Sequence, residues 1–254
     1  MKIRDIKIES KANNNGLRAS ILASAKQKKI IISNWANCFT AEELLPFEEW
    51  LEGYLQNNEE ILTIELIDVL DSLPFTEPRE ENFIIKKPLP FMENITNPLT
   101  EIIKTIPNFN FLIEGKWGVG NYASGRFPKI KGNFETGVVE ISQEMYNSYS
   151  LYFMHPFFCW LEKLFQSDID QIHSYFKIDY IATSNMIRLV ETATALSSWS
   201  EKTGKTSLWT WYCLDDDEDT KEWFNDIFKM SNNLSHIKME AIELDERQWN
   251  KILK

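Results

Sequence analysis

The heptad Pro46-Phe47-Glu48-Glu49-Trp50-Leu51-Glu52 returns 110 positions later as Pro156-Phe157-Phe158-Cys159-Trp160-Leu161-Glu162. Five identities at one spacing, two of them in the uncommon residues proline and tryptophan, mark two diverged copies of one unit. A chain built this way folds both copies on a common plan. The flanks extend the match: Ile30 to Ser33 and Val138 to Ser142 are strand-like and end 13 and 14 residues ahead of the proline. Leu62 to Asp68 and Phe176 to Ile181 follow, each alternating apolar and polar side chains as a half-buried strand does.

A helix is expected next in each copy. Asn97-Pro98 offers a capping residue and a proline at the first helical position, while Met186, Leu189, Val190, Ala193 and Leu196 draw an apolar stripe. Strands are expected again at Phe109 to Ile113 and Ser207 to Leu214. The second copy alone continues, with a helix near Thr220 to Met230 and a strand near Ile237 to Leu244. The heptad itself reads as packing, its proline opening a helix and its Phe and Trp falling one turn apart on an apolar face. The expected fold class is therefore α/β, as two tandem, related small α/β domains, each a sheet packed by helices. The domains are 1–114 and 115–254, the first interrupted near 71–96 by an insertion with Pro74, Pro78, Pro88 and Pro90 that is either a partner-contacting flap or surface loop.

With 254 residues, 43% hydrophobic and 13% aromatic, the chain holds apolar material for two modest cores. No apolar run approaches the roughly 20 residues of a membrane span, and Met1-Lys2-Ile3-Arg4-Asp5 does not begin a signal peptide, so a cytoplasmic protein away from the membrane is expected. The net charge of −11 argues against general nucleic-acid binding and permits docking onto basic protein surfaces. Cys38, Cys159 and Cys213 are widely spaced among mostly apolar neighbours, which suits buried thiols. His155, His173 and His236 pair with no other ligand at metal spacing, and His155 reads as a helix-entry residue.

Gly120-Asn121-Tyr122-Ala123-Ser124-Gly125-Arg126-Phe127 fails as a phosphate loop, because Arg126 and Phe127 replace the lysine and the hydroxyl residue and Pro128 stops the helix. Six of the nine glycines, Gly115, Gly118, Gly120, Gly125, Gly132 and Gly137, fall here with Lys116, Arg126, Lys129 and Lys131. The region reads as a connector with turn glycines and solvated lysines, or as a basic island that docks an acidic surface. No cofactor is expected.

Four ordered blocks of the second copy carry a family resemblance: Gly137 to Ser142; Pro156-Phe157, Trp160-Leu161-Glu162; Ile178-Asp179-Tyr180-Ile181-Ala182-Thr183-Ser184; and Trp209 to Asp219. They resemble the SiaC family of bacterial regulatory phosphoproteins from about Phe127 to Leu244, with a degenerate version over roughly Leu17 to Ile113. The resemblance implies a compact α/β fold similar to anti-sigma-factor antagonists and a part in partner switching. A serine/threonine kinase modifies a threonine, a PP2C-type phosphatase reverses it, and the unmodified form binds and activates a diguanylate cyclase.

The family pattern at that threonine is like Tyr-Phe-Asn-Thr-Ser-Ser, entering a helix from a strand. Tyr180, Thr183 and Ser184 keep it, Ile181 is an apolar change, and Ala182, Asn185 and Met186 depart from it. Val69 aligns with Thr183 in the first copy, which has no hydroxyl there. On the residues alone Thr183 and Ser184 are either a helix-capping pair or phosphoacceptors, since a phosphate adds about −1.5 to −2 charges that a helix start accommodates.

The acidic run Asp215 to Asp219 either supplies negative charge to the following helix or binds a cation, the second lacking any EF-hand glycine. Trp209 and Trp211 share one strand face and suit sheet packing. Tyr180, Asp215, Asp216 and Asp217 are the partner-binding candidates. The resulting expectation is a non-enzymatic adaptor switched at Thr183 or Ser184. The competing reading is an acidic inhibitor or immunity-type protein for a basic toxin; an enzyme ranks third, as no nucleophile, base and orienting group come together.

Overall fold

The computed structural model describes residues 4–11, 18–33, 39–58, 61–70, 105–117, 128–145, 150–231 and 234–252. The strands are β1 (Ile6–Glu9), β2 (Ser20–Ser24), β3 (Lys29–Ser33), β4 (Leu62–Leu70), β5 (Phe109–Trp117), β6 (Lys129–Asn133), β7 (Val138–Met145), β8 (Gln171–Ile181), β9 (Thr206–Leu214) and β10 (Ile237–Leu244). Helices α1 (Ala41–Asn57), α2 (Ser150–Gln166), α3 (Thr183–Thr203), α4 (Glu218–Met230) and α5 (Glu246–Trp249) interleave with them. Where two sheets were expected, these ten strands form one, in chain order from β1 to β10.

Pairing is antiparallel for β1–β2, β2–β3, β5–β6 and β6–β7 and parallel elsewhere. A parallel neighbour is reached by a right-handed crossover. Because each parallel step advances in the same direction across the sheet, α1, α2, α3 and α4 all land on one face. Burial follows that geometry: Ile172, Phe176 and Ile178 of β8 are closed beneath helices, while His173, Tyr175 and Lys177 between them are half-buried on the other face. A single helix-side core joins residues of both copies, from Ile21 to Trp211.

The two heptads stand against similar strand registers. Ile6 faces Ala23 and Ala23 faces Ile30 in the first copy; Phe111 faces Gly132 and Gly132 faces Val139 in the second. The heptad tryptophans occupy matching places. Trp50 Nε1 donates to the Arg4 carbonyl at 2.9 Å, two residues before Ile6, and Trp160 Nε1 donates to the Phe109 carbonyl at 2.6 Å, two residues before Phe111. Strand β5 thus serves both copies, as the last parallel strand of the first and as the second copy's counterpart of β1. It runs to Trp117, across the boundary expected at 114.

Three local expectations change. Pro46 and Pro156 lie inside their helices rather than at the start. For α1 the reason is a capping box: Thr40 accepts from Glu43 N, and Glu43 reaches back to Thr40 N at 2.8 Å, so the helix begins five residues before the proline. The expected glycine-rich connector contains the end of β5 and all of β6, where Lys129 and Lys131 alternate with the buried Ile130 and Gly132, and Lys131 pairs with Glu140 at 2.9 Å. His155 is likewise inside α2, with its side chain outside the described residues. The 71–96 insertion, Asn97-Pro98, Cys38 and residues 118–127 also fall outside them. Cys159 and Cys213 are buried free thiols. Among the described residues no helix is long and apolar enough to cross a membrane.

Gly132 is a glycine for want of space. A Cβ there would stand 2.2 Å from a Phe111 ring carbon and 2.7 Å from Trp160, where the first copy, with Ile6 in place of the phenyl ring, accommodates Ala23. Gly132→Ala is expected to cost about 1–3 kcal/mol by overpacking. Urea denaturation reads it, and an unchanged midpoint would contradict the packing described.

Candidate functional site

The parallel strands β7, β8, β9 and β10 end on one edge of the sheet, with Met145, Ile181, Leu214 and Leu244 as their last residues. The carboxyl ends of parallel strands are where open α/β sheets place their ligands. Here the edge holds Tyr180, Thr183 and the acidic run. The end of β8 carries an irregularity: Gln143 faces Ile178 and Glu144 faces Tyr180, so Asp179 is skipped. Asp179 and Tyr180 are consecutively exposed and Ile181 is buried, breaking the alternation that holds from Gln171 to Ile178. Gln143 adopts φ 76°, a left-handed conformation that costs a non-glycine residue about 1–2 kcal/mol.

Thr183 is the first residue of α3, exposed, after the extended Ala182. Ala182 stands at the N-cap with no side chain to accept, so no side-chain oxygen caps the helix, and Asn185 N, in the first turn, bonds back to the Ala182 carbonyl at 2.8 Å. The helix start is held laterally instead. Ala182 N donates to the Met145 carbonyl at 2.9 Å, and Asn185 Nδ2 donates to the same oxygen from a fully buried position. Asn185 and Ala182, both departures from the family pattern, therefore replace a cap by a tie to β7. Ser184 follows in the helix, its side chain outside the described residues. Val69 lies within β4 opposite Lys116, with no helix beginning there.

Tyr180 is 42% exposed and meets Trp223 of α4 edge to face, with ring centroids 6.0 Å apart. Asp217 is the N-cap of α4: its carboxylate accepts from Thr220 N at 3.1 Å and from the Thr220 hydroxyl. Glu218 and Asp219 occupy the first turn, where the helix dipole favours them. Asp215 and Asp216 stay exposed, and Lys221 Nζ holds the Asp215 carbonyl at 2.8 Å. The structure thus gathers Tyr180, Thr183, Asp215 and Asp216 at one edge, while Asp217 is occupied in capping. Trp223 was not among the sequence candidates; its place one turn before the buried Ile227 in the helix is the signal that could have found it. Among the described residues no group of His, Cys, Asp and Glu could hold a metal ion.

A second polar cluster crosses the face of the sheet opposite α1 to α4. Thr210 Oγ1 donates to Glu240 Oε1 at 2.9 Å, so it accepts from His173 Nε2 at 2.8 Å. That leaves His173 Nδ1 to accept from the Tyr175 hydroxyl at 2.9 Å, with Tyr212 stacked on Tyr175. A neutral imidazole satisfies this chain of bonds. Burial pushes its pKa below the usual 6.5, with the Glu240 charge opposing. The unfolded chain then takes up a proton more readily than the folded one, so this group's stabilisation is present above the unfolded pKa and is lost as pH falls through the folded value. The urea midpoint is expected to fall between about pH 7.5 and pH 5.5 and to fall less in His173→Gln. Equal slopes in both proteins would contradict the assignment.

Residues 122–244 match the model of a family described as SiaC family regulatory phosphoprotein. Among solved structures, SiaC of Pseudomonas aeruginosa aligns at 14% identity, covering 49% of this chain and 96% of that one, with a TM-score of 0.39. Apo-SiaC from Pseudomonas aeruginosa aligns at 17% identity over 45% of this chain and 90% of that one, TM-score 0.37. A structure of the diguanylate cyclase SiaD in complex with its activator SiaC, from Pseudomonas aeruginosa, aligns at 16% identity over 49% of this chain and 100% of that one, TM-score 0.39. No curated protein matches.

Proposed function

We propose, from the match of residues 122–244 to the model of the SiaC family of regulatory phosphoproteins, that this chain is a non-enzymatic signalling adaptor switched by reversible phosphorylation of Thr183. The observation that carries the reading is the exposed hydroxyl of Thr183 on an uncapped helix start. A kinase transfers a phosphoryl group to Thr183 Oγ1, Ser184 being the neighbouring acceptor, and a PP2C-type phosphatase returns the hydroxyl by hydrolysis. Uncapped N–H groups and the positive end of a 21-residue helix favour the added charge. The modification leaves the fold standing and changes the surface.

In the unmodified form that surface engages a target such as a diguanylate cyclase, with Tyr180, Asp215 and Asp216 around the hydroxyl. Tyr180 supplies the aromatic anchor and the aspartates the polar rim. The first copy has Val69 where the second has Thr183, and it acts as an extension of the sheet rather than as a second switch. The cytoplasm, where kinase, phosphatase and cyclase act, is the compartment this reading requires.

The test is an activity titration. A diguanylate cyclase encoded beside this chain is purified and its cyclic dinucleotide output measured against added unmodified protein and Thr183→Ala. Stimulation by both is expected, and no stimulation by either would remove the cyclase as target.

A further inference from the structure

Gln143 is one of two non-glycine residues with positive φ among the described residues; the other, Lys28, lies in a hairpin turn, whereas Gln143 sits inside β7. Its position coincides with the skipped residue Asp179 in the β7–β8 pairing. An extra residue in one strand inverts the in-out parity of all that follow. Ahead of it the even-numbered residues of β8 face the helices. Past it Ile181 takes the helix side, 4% exposed opposite Met145, and Tyr180 turns outward.

In an unbroken register Met145 would face Tyr180. The phenol would then enter the helix-side core and Ile181 would meet solvent. Helix α3 would begin one residue out of phase with β7, separating Asn185 Nδ2 from the Met145 carbonyl it now holds.

We propose that Gln143 is a positioning residue: its left-handed conformation sets the bulge that displays Tyr180 and seats Thr183 at the exposed start of α3. The geometry stands by itself, and only its functional consequence rests on the adaptor reading above. Gln143→Gly favours the same backbone conformation, and Gln143→Val opposes it through its β-branch. The two substitutions should therefore act in opposite directions.

Full-length proteins are treated with tetranitromethane, and nitration of Tyr180 is quantified by peptide mass spectrometry against Tyr212; Thr183 phosphorylation after coexpression with the kinase is read on the same peptides. Gln143→Gly is expected to keep wild-type nitration at Tyr180 and to raise the thermal midpoint. Folded Gln143→Val is expected to lose Tyr180 nitration several-fold, and wild-type nitration in that protein overturns the proposal. If Gln143→Val does not fold, the glycine variant decides, and a midpoint no higher than the wild type's overturns it. Nitration that follows Gln143 as stated, with no phosphate on Thr183 in any protein, upholds the positioning role and refutes the switch.

Discussion

Truncating Trp160 to alanine is expected to destabilise the whole chain by about 3–5 kcal/mol, through the cavity it opens and the hydrogen bond it removes. The indole is fully buried, packs at 4.9 Å between ring centroids on Phe111 and at 6.3 Å on Phe134, and donates to the Phe109 carbonyl. Domains hold only about 5–15 kcal/mol in all, so this loss leaves little. Because β5 carries that carbonyl and belongs to both copies, the two halves should lose structure in one transition. Trp50→Ala is the control. It makes the same bond to Arg4, but beside a four-residue edge strand, and its effect should be smaller. Urea titrations followed by far-ultraviolet circular dichroism would show this, and a Trp160→Ala protein whose first half unfolds at the wild-type midpoint would contradict the shared strand.

Thr183→Glu is expected to weaken target binding by roughly 30-fold or more, the scale of about 2 kcal/mol for a charge placed inside a fitted surface. Its thermal midpoint should not fall, because a carboxylate in the first turn of a helix gains about 0.3–1 kcal/mol from the dipole. Thr183→Ala should bind as the wild type does. Calorimetric titration of the target separates these outcomes, and equal affinity for all three proteins would mean that the hydroxyl position is not read by the partner.

The heptads were legible as packing units in the sequence because proline, phenylalanine and tryptophan recur in them at one spacing, and Phe47, Trp50, Phe157 and Trp160 are all buried. The strand positions followed from alternation. What could not be read was pairing between copies: nothing in Phe109 to Trp117 says that β6 will pair antiparallel to it, since register is a property of two segments. The helix start at Thr40 is written in Thr40-Ala41-Glu42-Glu43, which spells a capping box, and it leaves Pro46 inside the helix. Strand β6 was hidden by its lysines, which lie on the face of the sheet opposite α1 to α4.

At the site, Thr183 and Tyr180 could be named from the family pattern, and the reason they are displayed could not. By period alone Tyr180 belongs with Ile178 and Phe176 in the core. One skipped residue, opposite a left-handed Gln143, reverses that, and a single extra residue leaves no compositional trace. Asn185, a departure from the family pattern, is a structural tie that only the fold reveals. Asp217 behaves as the acidic run's helix-capping reading expects.

The most direct test of the switch is to coexpress the chain with the kinase encoded nearby and to map phosphate by intact mass and peptide fragmentation. One phosphate is expected, on Thr183 or its neighbour Ser184, removed by the partner phosphatase and missing from the Thr183→Ala, Ser184→Ala double variant. An unmodified Thr183 and Ser184 beside a kinase that is demonstrably active, or phosphate confined to other residues, would contradict it.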